Sequence, residues 1–305
     1  EIQTKVASVV PFFVGSFYAL YNYNQFDFKN FIFMFISLLS FDMVATTINN
    51  YIDFKKANKE HGYNYEEHNA IVRDDIEESI VITVIIALFS IATISGIFLY
   101  LNTDVIVLVL GIISFIVGIL YSFGPIPISR MPLGEMFSGF FMGFVIIFLA
   151  SYIHIYSKDI AMLFLNGEIL KIVLNYKEII KIFFVSIPAV NGIANIMLAN
   201  NICDIKDDLE NKRFTLPIHI GVKKSLNLYK TLYYIIYVNI LILIFLDFLP
   251  LISLLTILTF IPVQKNINKF LEKQKKNKTF VLAVQNFLII NVVYAFSLVL
   301  SVIFN

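Results

Sequence analysis

Asn200-Asn201-Ile202-Cys203-Asp204-Ile205-Lys206-Asp207-Asp208 closes a long apolar run, and Asn49-Asn50-Tyr51-Ile52-Asp53-Phe54-Lys55 closes an earlier one with the same Asn-Asn-x-x-Asp-x-Lys skeleton. Each polar knot follows an apolar segment of about 20 residues, the length that spans a bilayer as a helix. A site assembled from two membrane helices is therefore expected.

Working outward from these two stretches, the composition agrees. The 305 residues are 58% hydrophobic and only 15% charged, with a mean hydropathy of +0.80, far from the balance of a soluble domain. An all-α polytopic membrane protein follows, a single domain over residues 1–305. The net charge of +1 says nothing for nucleic acid, because the basic residues sit in loops and form no stripe interleaved with aromatics, and no nucleic-acid partner is expected. One cysteine, Cys203, excludes an internal disulfide and fits a reducing side of the membrane. The mixed charge of Glu1 to Lys5 is not that of a cleavable leader. The abundance of Ile, Asn, Lys and Phe points to a low-GC coding bias and a bacterial source.

We expect about nine membrane helices: Val6 to Tyr23, Phe31 to Phe54, Ile80 to Leu101, Val105 to Phe123, Met136 to Ile155, Ile179 to Cys203, Leu226 to Phe245, a short Leu249 to Val263, and Phe280 to Phe304. Lys and Arg concentrate in the loops after the second, fourth, sixth and eighth of them, which makes those loops and the N-terminus cytoplasmic. Both Asn-Asn-x-x-Asp stretches then lie on the cytoplasmic face, where they can confront each other. Leu165 to Tyr176 reads as an outer amphipathic connector. Lys265 to Lys278 reads as a solvated basic loop drawn to anionic lipid headgroups.

Residues four apart share a helix face, so Asn200, Asp204 and Asp208 are expected to form one stripe and Asn49 with Asp53 a shorter one. Carboxylates at membrane depth are costly and mark a substrate path or catalytic centre. Amide and carboxylate oxygens are hard ligands suited to Mg²⁺, which usually binds substrate phosphates as well. Snorkelling helix ends are the bland alternative, and the duplication counts against it. His61 and His68, beside Glu66 and Glu67, read as a solvated loop rather than a metal site. His154 and His219 read as structural, and Glu135 as a charge favoured at a helix N-terminus.

On these residues, together with Tyr121-Ser122-x-Gly124-Pro125, Pro132-Leu133-Gly134-Glu135 and the segment Asn200 to Gly221, the chain resembles the UbiA superfamily of intramembrane aromatic prenyltransferases. Within it the resemblance is strongest to the 1,4-dihydroxy-2-naphthoate branch. The resemblance implies a helical bundle around a central cavity with a cytoplasmic polar cap, and Mg²⁺-dependent transfer of a polyprenyl group from its diphosphate to an aromatic acid, with decarboxylation, to give demethylmenaquinone. It departs from the family pattern at Asn50 and Ala57, where acids are usual, and at Phe214, inserted between Lys212-Arg213 and Thr215.

The resemblance implies Asp53, Asp204 and Asp208 as catalytic acids, with Asn49, Asp53, Asp204 and Asp208 as metal ligands. Asn49, Asn50, Asn200 and Asn201 would join them in holding the diphosphate. Lys5, Arg73, Arg130 and Lys212 are candidates for contacts to the diphosphate or the acceptor carboxylate. Tyr51 and Tyr121 are candidate aromatic faces for an allylic cation. Membrane lipid surrounds the whole. Rival readings are a sibling enzyme using 4-hydroxybenzoate, homogentisate or a glycerol phosphate, a silent paralogue, and a transporter whose ion site lies on broken helices near mid-membrane.

Overall fold

The computed structural model describes residues 2–56, 69–124 and 127–304. Among them, eight helices are long and apolar enough to cross a membrane, and a shorter apolar helix accompanies them. In chain order, the elements are α1 (Val6–Tyr23), α2 (Phe28–Lys56), the short α3 (Ala70–Arg73), α4 (Glu78–Asn102) and α5 (Val105–Ser122). A span over Gly134–Lys158 is α6, with a π-helical stretch at Gly139–Val145. A hairpin of β1 (Ala161–Asn166) and β2 (Ile169–Leu174) leads to α7 (Tyr176–Cys203), α8 (Ile205–Glu210), α9 (Leu216–Ile220), α10 (Val222–Phe245), α11 (Phe260–Glu272) and α12 (Val281–Phe304).

Local chemistry sets several boundaries. The Asp104 side chain accepts from the backbone N–H groups of Ile106 and Val107 at 2.9 and 3.4 Å and so starts α5, satisfying donors that a helix N-terminus leaves open. Two expectations are corrected. The outer connector is an antiparallel hairpin in which Asn166 faces Ile169, turning at Gly167 with φ +59°, a value that a residue without Cβ adopts freely. Its strands are apolar on both faces, so period-two alternation gave no warning. The eighth span runs on through a 3-10 segment, Leu251–Thr259, into α11. Residues three apart eclipse in such a helix, and Ser253, Thr256 and Thr259 form its buried face, with Ser253 bonded to Ser297 of α12 at 3.0 Å. Lys265 and Lys269 therefore sit on a helix, and only residues from Lys273 on form a loop.

The helices interlock through small residues and buried amides. A Cβ on Gly143 would stand 2.6 Å from the backbone of Val190, and one on Gly139 2.7 Å from the Val190 carbonyl. This Gly-x-x-x-Gly pair lets α6 press onto α7, as small residues do where helix backbones meet in a bilayer. Within α7, Pro188 has no N–H to offer the carbonyl of Phe184. Asn239 of α10 supplies the missing donor at 2.9 Å, and Tyr294 of α12 bonds the next carbonyl, Val185, at 3.2 Å. In hydrocarbon, where water cannot compensate, such partners are obligatory. α1 packs on α6 and α12, α2 on α4, and α7 on α6, α10 and α12.

Candidate active site

A cavity of about 720 Å³ opens among α1, α2, α4, α5, α6 and α7. Its wall on α2 runs from Asn49 to Met34, fifteen residues or about 22 Å at 1.5 Å per residue. The mouth is polar, with Asn49, Asn200, Asp204, Arg213 and Lys276 on its rim, and the depth is apolar, with Met34, Leu99, Val107 and Leu149. Phe41 lies flat on Phe115 with ring centres 3.9 Å apart on the wall between them, where Gly118 leaves it room, since a Cβ there would come within 2.6 Å of the Phe41 ring. The shape suits a long apolar chain with an anionic head.

Both Asn-Asn-x-x-Asp stretches contribute to the lining of this cavity, the first through Asn49 of α2 and the second through Asn200 of α7 and Asp204 just beyond it. The side chain of Asp53 falls outside the described residues, as do Ala57, His61, Glu66, Glu67 and His68. The expected stripe of Asn200, Asp204 and Asp208 is broken. α7 stops at Cys203, and Asp204, at φ −100° and ψ 9°, is the joint to α8. Asp208 consequently turns away from the cavity. It is buried, accepts from the Thr215 hydroxyl at 3.0 Å, and faces the Arg213 guanidinium at 3.5 Å. Burial raises its carboxyl above the ordinary aspartate value, and Arg213 and Thr215 oppose that shift, as opposite charge and hydrogen bonding to the ionised form do. Asp208 thus holds Arg213 over the mouth.

Other expected residues take different places. Asn201 is buried and donates to Glu135 at 2.8 Å, tying α7 to the start of α6. The Asn50 carbonyl accepts from Asn69, the N-cap of α3, at 2.8 Å. The Tyr51 hydroxyl donates to Glu78 at 2.5 Å on the exposed side of α2, away from the cavity wall, whereas Tyr121 lines the cavity. Arg73 pairs with its neighbour Asp74 at 2.7 Å. The Arg130 carbonyl receives the Phe214 N–H at 3.0 Å, joining the loop before α6 to the loop after α8. Lys212 is exposed and occupies a left-handed turn at φ +53°. The inserted Phe214 is therefore a backbone tie. The adjoining Arg213, rather than Lys212, reaches the cavity.

Three functional candidates escape the sequence reading. Arg213 is one. Lys276, from the loop between α11 and α12, forms an ion pair with Asp204 and donates to the Asn200 side-chain oxygen. Asp42, in the middle of α2, meets Lys5 at 2.9 Å and lines the cavity. A lone carboxylate inside an apolar span was a legible signal; the reach of a lysine 72 residues from Asp204 was not.

The implied metal can be tested against these groups. Among the described residues no three His, Cys, Asp or Glu side chains converge as a closed metal centre. Among the described side chains the donors at the mouth are the Asp204 carboxylate and the neutral amide oxygens of Asn49 and Asn200, and a cation, the Lys276 ammonium, already stands on two of them. Hard oxygen donors in partial number fit Mg²⁺, which keeps waters and completes its shell with substrate phosphates.

Comparison with known proteins shows the family through a family model and the fold through solved structures. Residues 8–292 match the model of the UbiA prenyltransferase family. The 1,4-dihydroxy-2-naphthoate octaprenyltransferase of Bacillus subtilis is 28% identical over 240 residues, covering 77% of this chain and 69% of that one. The apo structure of a UbiA homolog from Aeropyrum pernix superposes with a TM-score of 0.69 at 17% identity, over 96% of this chain and 97% of that one. A UbiA homolog from Archaeoglobus fulgidus bound to GPP and Mg²⁺ superposes with a TM-score of 0.63 at 15% identity, over 98% and 96% respectively. At such identities the structural likeness speaks for the fold.

Proposed function

This chain belongs to the UbiA prenyltransferase family, and from that premise we propose that it transfers a polyprenyl chain from its diphosphate to 1,4-dihydroxy-2-naphthoate, with loss of the carboxyl group as carbon dioxide, in a Mg²⁺-dependent reaction at the cytoplasmic face. The observation that carries the reading is the confluence of Asn49, Asn200 and Asp204 at the mouth of one deep apolar cavity. The name of the Bacillus subtilis relative supports the acceptor, and the basic residues at the mouth end support the side of the membrane.

Asp204, Asn200 and Asn49, with Asp53 following on α2, would hold the metal, which when bound neutralises the departing diphosphate. Arg213, held by Asp208, and Lys276 stand over the same opening and take the remaining negative charge. Lys276 gives up Asp204 and turns its ammonium to the diphosphate. As the allylic C–O bond breaks, its electron pair leaves with the diphosphate. Phe41, Phe115 and Tyr121 line the cavity, and the electron-rich rings there stabilise the allylic cation as it forms. The electron-rich ring then attacks the allylic carbon. Fixed charges at the leaving group are the main catalytic term, while the apolar depth holds the tail and excludes water.

The deciding experiment is transfer by the purified protein with Mg²⁺, labelled polyprenyl diphosphates of several lengths and a panel of aromatic acids. A lipid-soluble product with dihydroxynaphthoate is expected. Absence of product with every pair overturns the reading, and product only with 4-hydroxybenzoate or homogentisate moves it to a sibling acceptor.

A further inference from the structure

Below the mouth, the wall of the cavity carries a second polar patch that the diphosphate clamp does not use. Asp42 lies seven residues from Asn49 along α2, about 10 Å deeper at helical rise. Its carboxylate accepts from the Lys5 ammonium at 2.9 Å and from the Ser8 hydroxyl at 2.5 Å. Lys5 also donates to the Asp42 backbone carbonyl at 3.2 Å and to the Thr46 hydroxyl. All four side chains line the cavity. Lys5 and Ser8 are almost wholly buried, while Asp42 keeps 16% of its side chain open.

Counting donors and acceptors decides what such a patch can bind. An ammonium has three protons, and Lys5 has spent all of them, on the Asp42 carboxylate, the Asp42 carbonyl and the Thr46 hydroxyl. The Thr46 proton goes to the Asp42 carbonyl at 3.0 Å, and the Ser8 proton to the Asp42 carboxylate or the Lys5 carbonyl. No donor is left for a phosphate or carboxylate. A carboxylate, however, has about four acceptor positions, and Asp42 has two of its own occupied by Lys5 and Ser8. The pair is neutral overall, partly open and accepting only. The Lys5 ammonium is thereby turned to Asp42 and Thr46 rather than to the open cavity.

We propose that Asp42, held by Lys5 and Ser8, is the subsite for a hydroxyl of the aromatic acceptor: it accepts the hydrogen bond of a phenolic O–H and selects ring substrates that carry a free hydroxyl at this depth. This rests on the transfer reading above. Phe41 and Phe115 stand on the same wall and offer the ring an apolar face. A bare ion pair that only joins α1 to α2 would not discriminate between a hydroxyl and its methyl ether.

The test is binding of 1-naphthol and 1-methoxynaphthalene to the full chain in nanodiscs, without metal or prenyl diphosphate, together with acceptor and prenyl diphosphate KM values under turnover. Wild type is expected to favour the naphthol over the ether. In Asp42→Asn, and in Lys5→Met/Asp42→Leu, which removes the pair as a unit and leaves no unpaired charge, that ratio should fall about tenfold, the scale of one hydrogen bond to a charged group. Acceptor KM should rise by the same factor while prenyl diphosphate KM stays within about twofold. No preference in wild type, or a preference unchanged in a folded variant, overturns the subsite. A wild-type preference without any product sinks the transfer reading and leaves the subsite standing.

Discussion

Removing the Asp204 carboxylate takes away a charged oxygen at the cavity mouth, and Asp204→Ala should lower kcat by about 10²- to 10³-fold, as losing one preorganised electrostatic contact does, with the melting midpoint in detergent unchanged. Lys276→Met has a two-sided signature. Its ammonium occupies the Asp204 and Asn200 oxygens, so the variant should need less Mg²⁺ for half-maximal rate and about tenfold more prenyl diphosphate, the scale of one charge-assisted hydrogen bond. Equal movement of both constants would show that Lys276 only shapes the loop. Asp208 adds a pH dependence. Its carboxyl is raised by burial, so on acidification it takes up a proton at higher pH than an ordinary aspartate, Arg213 loses its partner, and prenyl diphosphate KM should climb on the acid side. In Arg213→Met that acid limb should disappear from the KM profile. Asn200, Asp204 and Asn49 were legible in the sequence because a duplicated pattern at two helix ends has a physical meaning. The exchange of Lys212 for Arg213 was not, since one left-handed residue at Lys212 decides which side chain turns inward.

At the scale of helices, the contact of α6 with α7 tolerates no side chain at Gly143. Gly143→Ala should cost about 1–3 kcal/mol from overpacking, and Gly143→Leu should prevent folding; fluorescence-detected size exclusion across a temperature series would measure both. Asn239→Leu leaves the Phe184 carbonyl without the donor that Pro188 denies it, and should cost about 1 kcal/mol, the upper range of interhelical hydrogen bonds in bilayers. Apolar runs of spanning length showed where these helices lie, because hydrocarbon enforces a minimum length and a low charge. They did not show the hairpin at Ala161–Leu174 or the break at Asp204. Both are local departures, a turn at Gly167 in the first case and a single residue out of helical geometry, Asp204, in the second.

Across the whole molecule, orientation is the property the charges predict. With the mouth cytoplasmic, and with the free Cys203 replaced by serine, Lys278→Cys should react with an impermeant maleimide only in inverted membranes, and Lys171→Cys in the hairpin only in right-side-out cells; the opposite pattern would reverse the topology. The cavity is not central to the chain in sequence. Among the described residues, everything after Asp204 contributes only Arg213 and Lys276 to its wall, while α10 and α12 brace α7 from behind. The protein is thus divided into a working portion and a buttress that follows it. A search for variants with altered acceptor or tail preference has its productive positions in the first two thirds of the chain, whereas the lipid-facing surfaces of α10 and α12 form a reservoir where sequence can drift, or be redesigned for expression, without touching selectivity.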